Sequence, residues 1–170
     1  MFIFNTNPYD YSALWMRIML AIIFFPHGAR KLFGWFGGAG FETTMSLFDM
    51  LGVPWIVGLM IMLIEFIGAF FLLAGLLSRL VATGLAAVMM GAIVLVQWPN
   101  GFFMNWNGQQ AGEGIQFSLL AIALAVAVVI QGSGAWSLDR RVQERFGQVH
   151  HQATDREIDR ETPRGQRVTT

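Results

Sequence analysis

The amino-acid sequence predicts an all-α integral membrane protein: a four-helix bundle with a short interfacial helix and a disordered cytoplasmic tail. Of the 170 residues, 55% are hydrophobic and only 13% are charged. That charged fraction is about half of what is usual for a soluble domain. The apolar residues form long blocks, close to the about 20 residues that a helix needs to cross a bilayer. The end of the chain, by contrast, is rich in charge.

The first predicted span runs from Ala13 to Phe33 and is the most polar of the four. Arg17 lies just over one turn into it. Pro26 is expected to kink the helix, because proline removes a backbone hydrogen bond. His27 follows the proline, and Lys31 lies one turn further on the same face of the helix.

A short amphipathic segment and the second span come next. Residues 41–51, FETTMSLFDML, carry apolar residues at helical spacing, which predicts a short helix at the membrane interface. The second span runs from Pro54 to Leu77, with Glu65 near its middle. An unpaired carboxylate at that depth costs at least about 3 kcal/mol, so Glu65 needs a partner or a wet cavity. A structural hydrogen bond between helices and a functional acid both remain open.

Two further spans complete the predicted bundle. The third runs from Arg79 to Trp98 with Ser78 as its expected N-cap, and Gln97 is its last polar group. The fourth runs from Ile115 to Ile130 with Gln116 in its first turn.

The chain is expected to divide into a membrane domain, residues 1–147, and a charged tail, residues 148–170. The tail has too few apolar residues to bury, which predicts disorder. Residues 138–149 can form a short basic helix at the interface. Basic residues are more numerous on the side that holds both termini, so the positive-inside rule places both termini in the cytoplasm.

Polar side chains of the spans are expected to meet at one depth. At the helical rise, His27 and Glu65 lie within about one turn of each other in height. Lys31, Gln97 and Gln116 fall in the same outer half. Polar groups that hydrogen-bond to one another and so hold the helices together would explain this cluster. A pocket for a headgroup or a proton relay would explain it equally, with His27 and Glu65 as catalytic candidates and the other three as cofactor-binding candidates.

Arg17 is a further cofactor-binding candidate. By the helical rise it begins about 10 Å below Glu65, and its side chain leans toward the cytoplasm, because side chains point toward the N-terminus of their helix. The arginine is therefore expected to snorkel to the inner headgroups. An ion pair between Arg17 and Glu65 is the alternative, because the arginine side chain is long.

The composition limits the cofactors. The sequence contains no cysteine, which excludes a thiolate zinc site, an iron–sulfur cluster and covalently attached haem on this chain. Of the three histidines only His27 lies near a predicted span. We therefore expect no haem, iron–sulfur cluster or metal, and any redox chemistry has to use a dissociable cofactor or a partner's groups. The net charge of zero gives no indication of nucleic-acid binding.

Four motifs follow one another along the chain after Arg17: HGARKLFG from His27, IEFIGAFFLLAGLLSR from Ile64, WPNGFF from Trp98 and GSGAWSLD from Gly132. In this order and at these spacings they resemble the DoxX family of small bacterial membrane proteins. The resemblance implies a four-helix bundle in the bacterial inner membrane. By analogy with relatives named for thiosulfate:quinone oxidoreductase subunits, it also implies quinone-linked redox work. The polar positions that it carries over are Arg17, His27, Lys31, Glu65, Arg79 and Asp139.

Three hypotheses for function follow. The first is a membrane subunit of a quinone-linked oxidoreductase system, in which the polar cluster binds the quinone oxygens and a slot between the first two spans, opened by Pro26, Gly28 and Gly68, admits the tail. The second is a non-catalytic anchor or assembly factor whose charged tail recruits a cytosolic partner, which the lack of a redox centre favours. The third is transport of a small solute, which would require a homo-oligomer.

Overall fold

Helices are the only regular secondary structure in the computed structural model, which describes residues 7 and 9–144. A short turn of 3-10 helix, Trp35–Gly37, lies between the first two α-helices, and residues 138–144 are also helical. The predicted disorder of residues 148–170 and the end of the predicted basic helix lie outside the described residues. The main elements are α1 (Tyr11–Phe33), α2 (Gly40–Met50), α3 (Trp55–Ala74), α4 (Ser78–Ala92) and α5 (Gln116–Gln131).

Three of the helical segments are long and apolar enough to cross a membrane, by length and composition. They are α1, α3 and the continuous segment Ser78–Asn100, in which α4 is extended by a π-helical turn, Ile93–Gln97, and a 3-10 turn, Trp98–Asn100. The helix α5 is apolar but has 16 residues. The prediction of an all-helical protein with long apolar helices is therefore confirmed, and the short amphipathic helix is α2.

The four apolar helices pack side by side around one buried core. The helix α1 packs most extensively on α3, and α4 packs most extensively on α5. Contacts between α1 and α5 join the two pairs, and the contact between α3 and α4 is the least extensive of the four. The core between them is apolar and includes Leu20, Phe24, Leu72, Leu85 and Val128.

The backbones of α1 and α3 meet at a glycine. A Cβ atom on Gly28 would lie 2.5 Å from the backbone nitrogen of Phe66, closer than two such atoms can pack. A Cβ on Gly68 would similarly lie 2.8 Å from Val81 Cγ1. The expected slot between the first two spans is therefore wrong, because these glycines bring neighbouring helices together. Pro26 lies inside α1, which continues through it as a single helix.

Arg17 holds the turn after α3 against the segment after α5. Its side chain is buried, and Nη1 donates hydrogen bonds to the carbonyls of Leu72 (2.8 Å) and Leu73 (3.0 Å). Nη2 donates to the carbonyls of Ala135 and Trp136, both at 2.9 Å. The expectation that Arg17 snorkels to headgroups is wrong, and so is the Arg17–Glu65 pair. The guanidinium instead binds carbonyls in the last turn of α3, where the regular hydrogen bonds of the helix end.

Asp139 performs the corresponding task at the start of α4. Its buried carboxylate accepts hydrogen bonds from the backbone N–H groups of Leu77 (2.8 Å) and Ser78 (3.2 Å), and from the hydroxyl of Ser133. The N-cap residue of α4 is Leu77, in the left-handed region with φ of 51°. The expected N-cap at Ser78 is therefore wrong, because the capping carboxylate comes from a residue distant in sequence.

Candidate functional site

The buried carboxylate of Glu65 has a cation as its partner. Glu65 lies near the middle of α3, and its side chain is fully buried. Lys31, in the last turns of α1, places Nζ 2.6 Å from Glu65 Oε1. The other carboxylate oxygen, Oε2, is buried and has no hydrogen-bond partner among the described residues. The lysine side chain is 28% exposed, so one member of the pair is accessible and the other is not.

A groove of about 530 Å³ opens beside this pair, between α2, α3 and α4. It lies between α3 and α4, whose contact is the least extensive of the four contacts among the apolar helices. Its walls are apolar, for example Ile61, Ile64 and Ala92, and lining residues such as Met60 and Val96 are exposed, so the groove opens on the lateral surface of the bundle. Among the described residues that line it, the side chains able to donate a conventional hydrogen bond are those of Lys31 and Gln97.

The π-helical turn at the end of α4 places Gln97 at the groove. The hydroxyl of Ser118, fully buried on α5, donates a hydrogen bond of 2.7 Å to Gln97 Oε1. With its oxygen engaged, the carboxamide keeps the two hydrogens of Nε2 for another acceptor. The ammonium of Lys31 is also a donor. The groove therefore offers two donors within an apolar wall, which is the usual composition of a site for an amphipathic small molecule.

A second, smaller cavity of about 260 Å³ lies between the end of α1 and α2. It is lined by His27, Arg30 and Thr44 as well as Lys31. The two cavities share Lys31 and the α2 side chains Leu47 and Phe48, so lysine and α2 form the wall between them. We call this second space the outer cavity.

His27 lies in the outer cavity and not against Glu65. Its imidazole is half-buried, with ring centroids 6.2 Å from Phe24 and 5.7 Å from Phe117. No hydrogen bond between His27 and Glu65 occurs in the described part of the chain. Lys31 is the residue that connects them, because it pairs with the carboxylate and lines the cavity of the histidine.

The structure thus brings together some of the residues that the sequence singled out. Glu65 and Lys31 form the pair, Gln97 lines the same groove and His27 lies in the adjacent cavity. Arg17 and Gln116 line neither space. Gln116 begins α5, and its Oε1 is buried without a hydrogen-bond partner among the described residues. Sequence reasoning missed Ser118, whose only signal was a hydroxyl in an apolar helix.

Comparison with known proteins places the chain in a family. The profile of the family described as DoxX matches residues 12–98, slightly more than half of the chain. The chain belongs to the DoxX family. The matched residues include Lys31, Glu65 and Gln97, so the pair and the groove lie within the part that this DoxX protein shares with the family. The resemblance inferred from the motifs is confirmed.

Two curated relatives are similar over most of their length. "Putative oxidoreductase CatD" of Bacillus subtilis is 28% identical over 133 residues, which cover 78% of this chain and 88% of that protein. "Uncharacterized membrane protein Rv3486" of Mycobacterium tuberculosis is 26% identical over 145 residues, covering 79% of this chain and 83% of that protein. No solved structure matches.

Proposed function

We propose that this DoxX protein is the membrane subunit of a quinone-linked oxidoreductase system and binds the quinone in the groove between α3 and α4. The observation that carries the proposal is the pair of donors, Lys31 and Gln97, in a groove that is otherwise apolar and opens on the lateral surface of the bundle. A quinone matches both properties, because its ring carries two carbonyl acceptors and its tail is a hydrocarbon.

The Lys31–Glu65 pair supplies a route for protons. Interconversion of quinone and quinol moves two electrons and two protons. The Lys31 ammonium would give one proton to a ring oxygen as electrons arrive, and it would be reprotonated before it gives the second. The carboxylate 2.6 Å away stabilises the protonated lysine between the two transfers. Because Lys31 also lines the outer cavity, His27 is positioned to return protons to it. The electrons have to come from a dissociable cofactor or from a partner protein's redox group, since a chain without cysteine holds no iron–sulfur cluster or covalently attached haem.

The proposal includes four spans in the bacterial inner membrane, with both termini in the cytoplasm. The helix α5 supports this number because it packs along α1 and α4, although it is shorter than the other three. The basic residues support the orientation, since Arg79, Arg140 and Arg141 lie at the end that holds the N-terminus of α1. The name of the Bacillus subtilis relative supports an association with oxidoreductase chemistry.

A non-catalytic membrane anchor is the second candidate. It is favoured by the lack of cysteine and by the lack, among residues 7 and 9–144, of any group of three side chains suited to hold a metal ion. On that hypothesis the groove holds lipid, and a cytosolic partner binds elsewhere. The two functions differ in whether the groove discriminates a quinone from a hydrocarbon chain.

Binding of a short-chain quinone to the purified protein in detergent tests the proposal. Gly91 lines the groove, and a Cβ added there meets no atom within 4 Å, so Gly91→Leu fills the groove without a clash at its base. Ala123→Leu, at an exposed position on α5, is the matched control. Lys31→Met removes a donor.

We expect saturable binding that Gly91→Leu abolishes and Lys31→Met weakens at least about tenfold, the effect of losing one charge-assisted hydrogen bond. Ala123→Leu is expected to bind like the wild type. If the quinone does not bind, or if a decane chain without a ring competes as well as the quinone, the site is not a quinone site and the anchor becomes the better hypothesis.

A further inference from the structure

We infer that the end of the molecule opposite the Lys31–Glu65 pair carries a binding site for the phosphodiester of an anionic phospholipid. The site is a cavity of about 420 Å³. It lies beside Ala74, the last residue of α3, and is lined on the other side by the segment that follows α5. This inference is independent of the proposed quinone function. The cavity is lined by Ala74, Trp136, Ser137, Leu138, Arg140, Arg141 and Glu144.

The charge of the cavity is positive. Two arginines and one glutamate line it. Arg140 Nε donates to Glu144 Oε1 at 2.7 Å, which leaves both Nη groups of that guanidinium for another acceptor. Arg141 is exposed, and no ion pair to it is found among the described residues. Guanidinium groups bind phosphate oxygens through two parallel hydrogen bonds, so the cavity suits a phosphate better than a neutral headgroup.

The depth of the cavity is that of a lipid headgroup. Ala74 ends a helix of 20 residues that is long and apolar enough to cross the membrane. The cavity at this end therefore lies where the hydrocarbon region meets water. Leu138 is 38% exposed beside the arginines, so the same cavity offers an apolar contact for the start of an acyl chain. A free phosphate would leave the apolar contact with Leu138 unused. A phospholipid uses both the arginines and Leu138.

Trp136 supports the assignment, because the fold holds its side chain outward although its backbone conformation is strained. It has φ of 51° and is 78% exposed. A bulky residue with positive φ is strained and persists only where the surroundings enforce it. Here Arg17 Nη2 donates a hydrogen bond of 2.9 Å to the Trp136 carbonyl. The Tyr11 ring packs edge to face against the indole, with ring centroids 6.4 Å apart. The fold thus holds an indole outward at headgroup level, where tryptophan is favoured.

Native mass spectrometry of the full chain, purified in detergent with added lipid, tests this site. The wild type is expected to retain one phosphatidylglycerol and to release phosphatidylcholine. Replacing Arg140 and Arg141 together by glutamine is expected to lower retention at least about tenfold, because charge-assisted hydrogen bonds are lost. Arg30→Gln removes an exposed arginine at the opposite end and is expected to change nothing. Glu144→Gln raises the positive charge of the cavity and is expected to increase retention.

Three results would overturn the inference. The first is equal retention of both lipids by the wild type, and the second is equal retention of phosphatidylglycerol by the wild type and the double variant. The third is stabilisation of the wild type by inorganic phosphate alone to the same extent as by phosphatidylglycerol, which would assign the cavity to free phosphate. If the double variant does not fold, Arg141→Lys replaces it. That change keeps the charge and removes the paired donors, and it is expected to give intermediate retention.

Discussion

Lys31 Nζ lies 2.6 Å from Glu65 Oε1, which joins the end of α1 to the middle of α3 by a charge-assisted hydrogen bond. The two members differ in environment, since Glu65 is fully buried and the Lys31 side chain is 28% exposed. A carboxylate within a membrane is costly unless it is paired. The lysine therefore stabilises the fold and, because it lines the groove, also places a charge where a ligand would meet it.

A double-mutant cycle measures this pair. Lys31→Met leaves a buried carboxylate without its cation and is expected to cost about 3–5 kcal/mol of stability, as breaking a buried pair does. Adding Glu65→Leu removes the orphaned charge, so the double variant is expected to be more stable than Lys31→Met alone. Unfolding of each variant in mild detergent with increasing denaturant gives the free energies. Strictly additive losses would show that the two residues are not coupled.

Arg17 is predicted to be structural and not part of a ligand site. Its four hydrogen bonds to carbonyls need a planar guanidinium, so Arg17→Lys is expected to lose at least about 3 kcal/mol of stability although the charge is kept. The Arg17→Lys protein that remains folded is expected to bind the quinone with the same affinity as the wild type. The measurements are denaturant unfolding and quinone titration of the same preparation. A loss of affinity without a loss of stability would contradict this role.

The relative height of Lys31 and Glu65 along the bundle could be predicted from the sequence, but the direction of each side chain could not. Apolar runs fix where helices begin and end, and the helical rise then places His27, Lys31 and Glu65 at similar depth. Whether the histidine or the lysine meets the carboxylate depends on the rotation of α1 against α3. That rotation is set by the close approach of Gly28 to Phe66, a contact between segments distant in sequence.

The partners of Arg17 could not be predicted from the sequence for a related reason. They are backbone carbonyls, which every residue carries, so no sequence pattern marks them. The same is true of Asp139, whose carboxylate caps a helix that begins 61 residues earlier. Only the packing of α3, α4 and the segment after α5 shows which backbone groups Arg17 and Asp139 bind.

Two helical glycines provide a matched test of the packing. A Cβ on Gly28 would meet backbone atoms of Phe66, which cannot move aside, whereas a Cβ on Gly91 meets nothing within 4 Å. Gly28→Ala is therefore expected to destabilise the protein by about 1–3 kcal/mol, the usual cost of overpacking. Gly91→Ala is expected to be neutral or slightly stabilising, since alanine favours a helix. Thermal unfolding compares them, and equal midpoints would contradict the direct contact of α1 and α3.

Asp139 is predicted to stabilise the start of α4. Asp139→Ala removes the acceptor for the N–H groups of Leu77 and Ser78 and is expected to cost about 2 kcal/mol, the upper range for a lost N-cap. Asp139→Asn keeps one acceptor oxygen and is expected to lose less. Hydrogen exchange of the first turn of α4 reports the effect locally. Unchanged protection in Asp139→Ala would show that the carboxylate does not cap this helix.

The sidedness of the membrane domain is predicted from its charges. Arg79, Arg140 and Arg141 lie at the end of the bundle that contains the N-terminus of α1, and Arg30 and Lys31 lie at the other end. Basic residues are retained on the cytoplasmic side. The outer cavity, with His27, is therefore expected to open away from the cytoplasm, and protons exchanged through it would enter or leave on that side.

Single cysteines can test both the orientation and the number of spans, because the natural chain contains none. Cysteines at Ser46 and Asn107, both exposed, are expected to react with a membrane-impermeant maleimide in spheroplasts. Cysteines at Tyr9 and Glu144 are expected to react only after the membrane is permeabilised. Labelling of Glu144 together with Asn107 in intact spheroplasts would mean that α5 does not cross the membrane. Labelling of Tyr9 and Glu144 without Ser46 and Asn107 would reverse the orientation and place the outer cavity in contact with the cytoplasm.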